Sequence, residues 1–120
     1  VPPLPGLAQE RLERNAALFA RARLGDVRGV ATLFEEMLSL GIAPDVVSYN
    51  AVLSSHAKAG DAVQAGEWLQ RMAEADLAPD EVSYGIVIGA WAKAGEPRLA
   101  AAHLQNMVDA SLEPAEASYS

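Results

Sequence analysis

Asn15 and Asn50 stand 35 residues apart, and each is followed eight residues later by a cation, Arg23 and Lys58. A helix turns 100° per residue, so positions three, seven and eleven apart return to one narrow side. Val47, Asn50, Ser54 and Lys58 would therefore share a single wedge, as would Leu12, Asn15, Phe19 and Arg23. A third wedge, Val82, Gly85, Gly89 and Lys93, keeps the aliphatic start and the cationic end but has no side chain in the amide's place. A carboxamide carries two donors and an acceptor, and an ammonium or guanidinium carries donors and charge. The chemistry on offer is hydrogen bonding and charge neutralisation along a surface. Asn inside a helix costs up to about 0.7 kcal/mol relative to Ala, so its place there asks for a reason other than helix formation.

Catalytic patterns do not appear. The 120 residues contain no Cys, which excludes disulfides, thiolate metal sites and cysteine nucleophiles. There is no HExxH helix, no phosphate-cradling glycine loop and no nucleophile-base arrangement, so neither metal nor cofactor nor enzymatic activity is expected within this segment. His56 aligns with Arg21 and Trp91, and His103 with Leu33 and Trp68; positions that accept such different side chains read as packing or surface sites. No apolar run approaches the roughly 18 residues of a membrane span, and no basic start leads into an apolar core as in a signal peptide.

The elements that must position these wedges follow from one interval. Tyr49, Tyr84 and Tyr119 are 35 residues apart, as are Gly25, Gly60 and Gly95, Met37, Met72 and Met107, and Pro44, Pro79 and Pro114. Self-similarity at a fixed period marks a stacked array. Within each period two apolar stripes recur at helical spacing. The first is Tyr49, Val52, Leu53, His56 and Ala57, matched by Tyr84, Val87, Ile88, Trp91 and Ala92; the second is Ala65, Trp68, Leu69, Met72 and Ala73, matched by Val30, Leu33, Phe34, Met37 and Leu38 before it and by Ala100, His103, Leu104, Met107 and Val108 after it. Tyr49, Tyr84, Trp68 and Trp91 lie on these stripes and are expected in the core. Gly25, Gly60 and Gly95 suit the left-handed residue past a helix end, Asp26 and Asp61 suit N-caps, and Pro97 suits a first helical position.

The expected fold is all-α, a right-handed α-solenoid of helix-turn-helix repeats. The boundaries are a Pro-rich lead-in and the end of a preceding repeat at 1-10, repeats at 11-45, 46-80 and 81-115, and the start of a fourth at 116-120. The prolines of "VPPLP" at 1-5 forbid a regular helix there. Helices of about a dozen residues are marginal alone, so each pair must bury its stripes on the next. A last residue falling just after Tyr119 reads as a segment of a longer chain.

"DVVSYNAVLSSHAKAG" followed by Met72 and "APD" resembles the pentatricopeptide repeat, with its 35-residue period, Val-Ser-Tyr opening, Lys-Ala-Gly break and Pro-Asp close, over residues 6-120. The family binds single-stranded RNA with one helical repeat per base. The resemblance implies that the residue after the tyrosine position and the last residue of the repeat contact the base edge, and that Asn with Asp selects uracil. It makes Asn15 with Asp45, and Asn50 with Asp80, readers of two adjacent uracils. Gly85 takes the reading place in the third repeat, where Ala115 replaces Asp, and no base is assigned to it. The base-sandwiching aliphatics map to Leu12, Val47 and Val82, and the phosphate-facing cations to Arg23, Lys58 and Lys93. Mitochondrion or chloroplast, and RNA processing, stability or translation, are implied in the same way. Asp45 and Asp80 also suit N-caps, and Lys58 and Lys93 also suit the negative end of a helix dipole.

The net charge of −7 is awkward for a phosphate ligand. Its distribution softens this: Arg11, Arg14, Arg21, Arg23 and Arg28 fall in the first repeat, the wedges contain no acid, and Glu35, Glu36, Glu67 and Glu74 lie in second helices. Stacking contributes about 1-3 kcal/mol per base, so two read bases give about 2-6 kcal/mol before ordering costs, and a millimolar dissociation constant already corresponds to about −4.1 kcal/mol. The segment alone is expected to bind weakly. The rival is a protein-interaction scaffold whose acidic convex face meets a protein partner; a scaffold needs neither Asn at both 15 and 50 nor a cation ending every wedge. A nuclease or deaminase domain beyond residue 120 stays open.

Overall fold

The computed structural model describes residues 6–110, with side chains from Gln9 onward. Helices α1 (Gly6–Ala22), α2 (Val27–Ser39), α3 (Val46–Lys58), α4 (Ala62–Glu74), α5 (Glu81–Lys93) and α6 (Pro97–Asp109) make up the regular structure, and no strand occurs among the described residues. The chain is an all-α helical-repeat solenoid. The expectations for 1-5 and 116-120, and for Pro114 and Ala115, lie outside the described residues.

Helix α1 begins at Gly6, ahead of the boundary at 11 set by aligning the repeats. The cause is local. Where later repeats place Pro44-Asp45 and Pro79-Asp80 before a helix, the first has Gln9-Glu10, two good helix formers that keep their N–H groups. Nothing there stops the helix from starting early.

The starts of α2 to α5 are capped as the sequence suggests. Asp26 accepts from the Gly29 N–H and Asp61 from the Gln64 N–H. Asp45 and Asp80 form reciprocal boxes with Ser48 and Ser83, each Asp accepting the Ser backbone N–H while each Ser hydroxyl accepts the Asp N–H. Glu96 makes no side-chain cap, and Pro97 follows it at the head of α6. Hairpins α3/α4 and α5/α6 turn at Gly60 and Gly95, with φ of 80° and 76°, a region costly to any residue with a Cβ.

The odd-numbered helices touch one another along the array, α1 on α3 and α3 on α5. Among the described residues the even-numbered helices pack on odd ones but not on each other. A row whose members touch is shorter than a row whose members do not, so the array bends toward the odd helices, which line its concave side. The described part measures 50 × 29 × 23 Å.

Two clusters fill the layers between the rows. Leu18, Ala22, Val30, Phe34, Met37, Ile42, Ala51 and Val52 form the first, and Leu53, Ala65, Leu69, Met72 and Val87 the second. The predicted stripes supply half of the first cluster, Val30, Phe34, Met37 and Val52, and all of the second. Their fifth members do not follow: Leu38 is 55% and Val108 49% exposed, and Ala73 and Ala92 are exposed as well. After eight residues the helix has turned about 80° past the first member, which carries that position off the buried side. Phe34 meets Tyr49 and Trp68 edge-on, with ring centroids 5.1 and 5.4 Å apart, so these aromatics serve the core as expected.

Candidate functional site

The three wedges line the concave row, on α1, α3 and α5. At their starts stand Leu12, Val47 and Val82, which are 65%, 45% and 53% exposed. Three uncovered aliphatic side chains at equivalent places form an apolar ladder that nothing in the described chain covers. At their ends Arg23, Lys58 and Lys93 are exposed, and none pairs with a carboxylate among the described residues. The free ends contrast with Arg14, which pairs with Glu36 at 2.7 Å, and Arg21, 3.6 Å from Asp26.

Between aliphatic and cation the amides are buried, Asn15 and Asn50 each 5% exposed. Asn15 Nδ2 donates to Asp45 Oδ1 at 3.1 Å, and the Ser48 hydroxyl donates to Asn15 Oδ1 at 2.6 Å. One repeat on, Asn50 Nδ2 donates to Asp80 Oδ1 at 3.4 Å, and the Ser83 hydroxyl donates to Asn50 Oδ1 at 2.5 Å. The fold thus brings together both Asn–Asp pairs that the sequence singles out. Each pair bridges two repeats, because the Asp caps the first helix of the repeat after its Asn.

Ser48 and Ser83 join each pair, a role that their place in the sequence alone does not single out. The repeated Val-Ser-Tyr opening, three residues after Asp, has the spacing of a reciprocal cap. Both hydroxyls are fully buried, and a buried hydroxyl must find partners. These find the Asp below and the Asn of the preceding repeat.

All of these bonds to Asp45 and Asp80 end on Oδ1, and each amide uses one of its two N–H bonds. The second N–H of each amide and the Oδ2 of Asp45 have no hydrogen-bond partner among the described residues, while the Val82 N–H also reaches the Asp80 carboxylate. A donor beside an acceptor, both fixed in place, matches a planar group that presents an acceptor beside a donor.

Burial alone would raise the Asp45 carboxyl, but the Ser48 N–H and hydroxyl, the Asn15 amide and the charge of Arg11 outweigh it and hold the carboxyl below its ordinary value. At Asp80 burial again opposes, and the Ser83 N–H and hydroxyl, the Asn50 amide and the Val82 N–H win. Both acids are ionised at neutral pH. Arg11, one helical turn before Asn15, is a neighbour that only the first pair has.

The third wedge lacks this arrangement. Gly85 offers no side chain, and a cleft of about 250 Å³ opens beside it between α3 and α5. Behind the wedges the two histidines pack on tryptophans with exchanged places: His56 of α3 stacks on Trp68 of α4, and Trp91 of α5 stacks on His103 of α6, with centroids 6.5 and 6.4 Å apart. Desolvation lowers the pKa of both histidines. Among the described residues no cluster of His, Asp and Glu could hold a metal ion, and no helix is long and apolar enough to cross a membrane.

Comparison with known proteins matches this geometry to one family. A model of the PPR repeat family matches residues 44–93, and a model of the PPR repeat matches residues 22–42 and 82–112. No curated protein sequence matches the chain. The crystal structure of the pentatricopeptide repeat protein PPR10 in complex with an 18-nt psaJ RNA element superposes with a TM-score of 0.78, at 27% identity over 84% of this chain. That of PPR10 from maize superposes with a TM-score of 0.80, at 27% identity over 88% of this chain. In both cases the match spans 15% of the solved chain.

Proposed function

The chain belongs to the pentatricopeptide repeat family, and from that premise we propose that it binds single-stranded RNA along its concave row, one base per repeat, with a preference for two adjacent uracils. The observation that carries this reading is the recurrence of one arrangement: an Asn amide bonded to the Asp that ends its own repeat and caps the first helix of the next, at 15 with 45 and again at 50 with 80. Uracil presents a carbonyl acceptor beside its ring N–H. The free amide N–H and carboxylate Oδ2 are the complement of that edge.

Each remaining part of the wedge has work to do in such a complex. Leu12, Val47 and Val82 offer apolar faces against which bases pack, a contact indifferent to base identity. Arg23, Lys58 and Lys93 meet the phosphates, for which a cation with no carboxylate partner is suited. A solved relative, PPR10, holds an 18-nt RNA element, which supports the same ligand class here. Its chain is several times longer than the matched part, in keeping with weak binding by two readable repeats. An organellar role in RNA processing, stability or translation belongs to this proposal, as the family's usual setting.

The test is an NMR titration at low salt with oligo-U and oligo-A, following the side-chain amides of Asn15 and Asn50. Shifts at both amides with oligo-U and little change with oligo-A are expected. If neither RNA moves them while the protein is folded, base reading fails and a protein-binding scaffold takes its place.

A further inference from the structure

We propose that the pocket between α4 and α6, on the convex side of the array, is a docking site for an arginine side chain of a basic partner protein. It lies behind the wedges and shares no lining residue with them, so it is independent of RNA reading.

Residue size carves the pocket. Among the described residues successive second helices do not touch, and the space between α2 and α4 is closed to about 60 Å³ by Phe34 and Trp68, with the Arg71 guanidinium 4.7 Å from the Trp68 ring centroid. One period on, the same places hold smaller side chains: Leu69 for Phe34, His103 for Trp68, Asn106 for Arg71 and Gly66 for Ala31. The space there opens to about 420 Å³, in the range of roughly 300-1,000 Å³ typical of ligand sites. The stack on Trp91 holds the His103 ring in place. That stack supplies two of the three buried side-chain polar atoms that have no partner among the described residues, Trp91 Nε1 and His103 Nδ1, a cost that a groove shaped for packing alone would avoid.

The lining decides what the pocket takes. Leu69, Ala73, Pro79 and the Tyr84 ring give an apolar wall, suited to the methylene stem and flat guanidinium of arginine. At the mouth stand Gln70, Glu74 and Asn106, all exposed, a carboxylate between two amide carbonyls that accept. No Lys or Arg lines the pocket, and desolvation lowers the pKa of His103, so its imidazole is neutral at neutral pH. Glu74 is in no ion pair among the described residues. Gln105 donates to Asp109 four residues on, yet Gln70 and Glu74, at the same spacing on α4, make no such bond and both face the pocket. Acceptors contributed by two helices match the planar fork of five arginine donors better than the single ammonium of lysine. The chain as a whole supplies the attraction: a net charge of −7, awkward for RNA, steers a basic partner in.

The experiment titrates the chain with a capped pentapeptide, acetyl-Gly-Ser-Arg-Ser-Gly amide, with its lysine and citrulline counterparts, and with free arginine. NMR reads the Gly66 backbone amide and the Gln70 and Asn106 side-chain amides. Saturable shifts at all three are expected with the arginine peptide, at about fivefold lower concentration than with the uncharged citrulline peptide, the upper end of what one exposed ion pair contributes. The lysine peptide should bind more weakly than the arginine peptide. Glu74→Gln should remove the advantage of arginine over citrulline, and Asn106→Arg, which copies Arg71 at the equivalent place, should abolish the Gly66 and Gln70 shifts. Both positions are exposed, so the helical circular dichroism should persist in each variant. Citrulline or lysine binding as tightly as arginine would overturn the site. Free arginine binding more tightly than the peptide would make it a small-molecule site and overturn protein docking. Peptide shifts at the Asn15 and Asn50 amides instead of Gly66 would place the arginine on Asp45 and Asp80 and overturn it too. Whether oligo-U binds is read from those two amides alone, so RNA reading and docking can fail separately.

Discussion

The hydroxyl of Ser48 donates to Oδ1 of Asn15 across 33 residues of sequence, at 2.6 Å, and Ser83 repeats the bond to Asn50. The amide proposed to read a base is therefore also part of the joint between repeats. Its carbonyl is spent on the protein, which orients the amide and leaves its nitrogen as the group that faces a ligand. Positioning of this kind lowers the ordering cost of binding, and it ties recognition to the stacking of one repeat on the next.

Ser48→Ala and Asn15→Ala separate the two roles. Ser48→Ala leaves the buried Asn15 carbonyl unpaired, at a cost of about 1-3 kcal/mol, or roughly 4-8 °C of Tm per kcal/mol for a domain of this size. Uracil binding should weaken with it but persist, because the Asn15 bond to Asp45 survives. Asn15→Ala should cost comparable stability and remove discrimination between oligo-U and oligo-A at the first repeat. Thermal melts paired with titrations check both; unchanged oligo-U discrimination in Asn15→Ala would reduce Asn15 to a joint between repeats.

The cations at the wedge ends predict a salt dependence. Single-strand binding weakens with salt with a log-log slope of about −0.7 per phosphate neutralised. Replacing Lys58 and Lys93 together by Gln should flatten the slope by about 1.4 and lower affinity for every sequence. Gln at Arg28, on α2 and outside the wedges, should leave the slope alone. Equal effects from the two replacements would point to diffuse attraction rather than a phosphate track.

Much of this arrangement is legible in the residues. The 35-residue interval and two apolar stripes suffice for the hairpins, because a helix repeats every 3.6 residues whatever its neighbours do. The wedges follow from the same arithmetic. What they do not contain is the offset between one repeat and the next. Hence Ser48 looks like a cap alone until the fold sets Asn15 against it, and His103 looks arbitrary until Trp91 is found stacked on it. The exposure of Leu38 and Val108 follows from how far each helix turns away from its neighbours. The cleft beside Gly85 needs the separation of α3 from α5, which no residue type encodes.

Acid should unfold the joints in a defined range. Burial would raise the carboxyls of Asp45 and Asp80, but the Ser48 and Ser83 N–H and hydroxyl groups and the Asn amides outweigh it and hold both below their ordinary value, which an unfolded chain restores. A depressed native pKa contributes stability that is full above the unfolded value and is lost as pH falls through the native one. Tm measured from pH 6 to pH 3 should drop in the lower part of that range. A double variant with Asn at 45 and 80 keeps a capping side chain, so it should start lower at pH 6 and converge on the parent toward pH 3. A constant gap across the range would show that the ionised carboxylates contribute nothing to the joints.

Two glycines of the second repeat should respond to alanine with opposite signs. Gly60 turns α3 into α4 with φ of 80°; open space surrounds it, so the cost of a Cβ is conformational, about 1-2 kcal/mol for a left-handed residue. Gly66 lies inside α4, where Ala is favoured over Gly by up to about 1 kcal/mol. Its added Cβ would come 3.9 Å from His103 Nε2 and from Trp91 Nε1, ordinary contact distances. Gly60→Ala should lower the urea midpoint and weaken oligo-U binding, since the turn it strains fixes the hairpin that carries Asn50. Gly66→Ala should raise the midpoint and leave binding unchanged, because it acts behind the wedges. A neutral Gly60→Ala would mean that the hairpin angle is set by packing of α3 on α4 rather than by the turn, and RNA reading should then be insensitive to the turn as well.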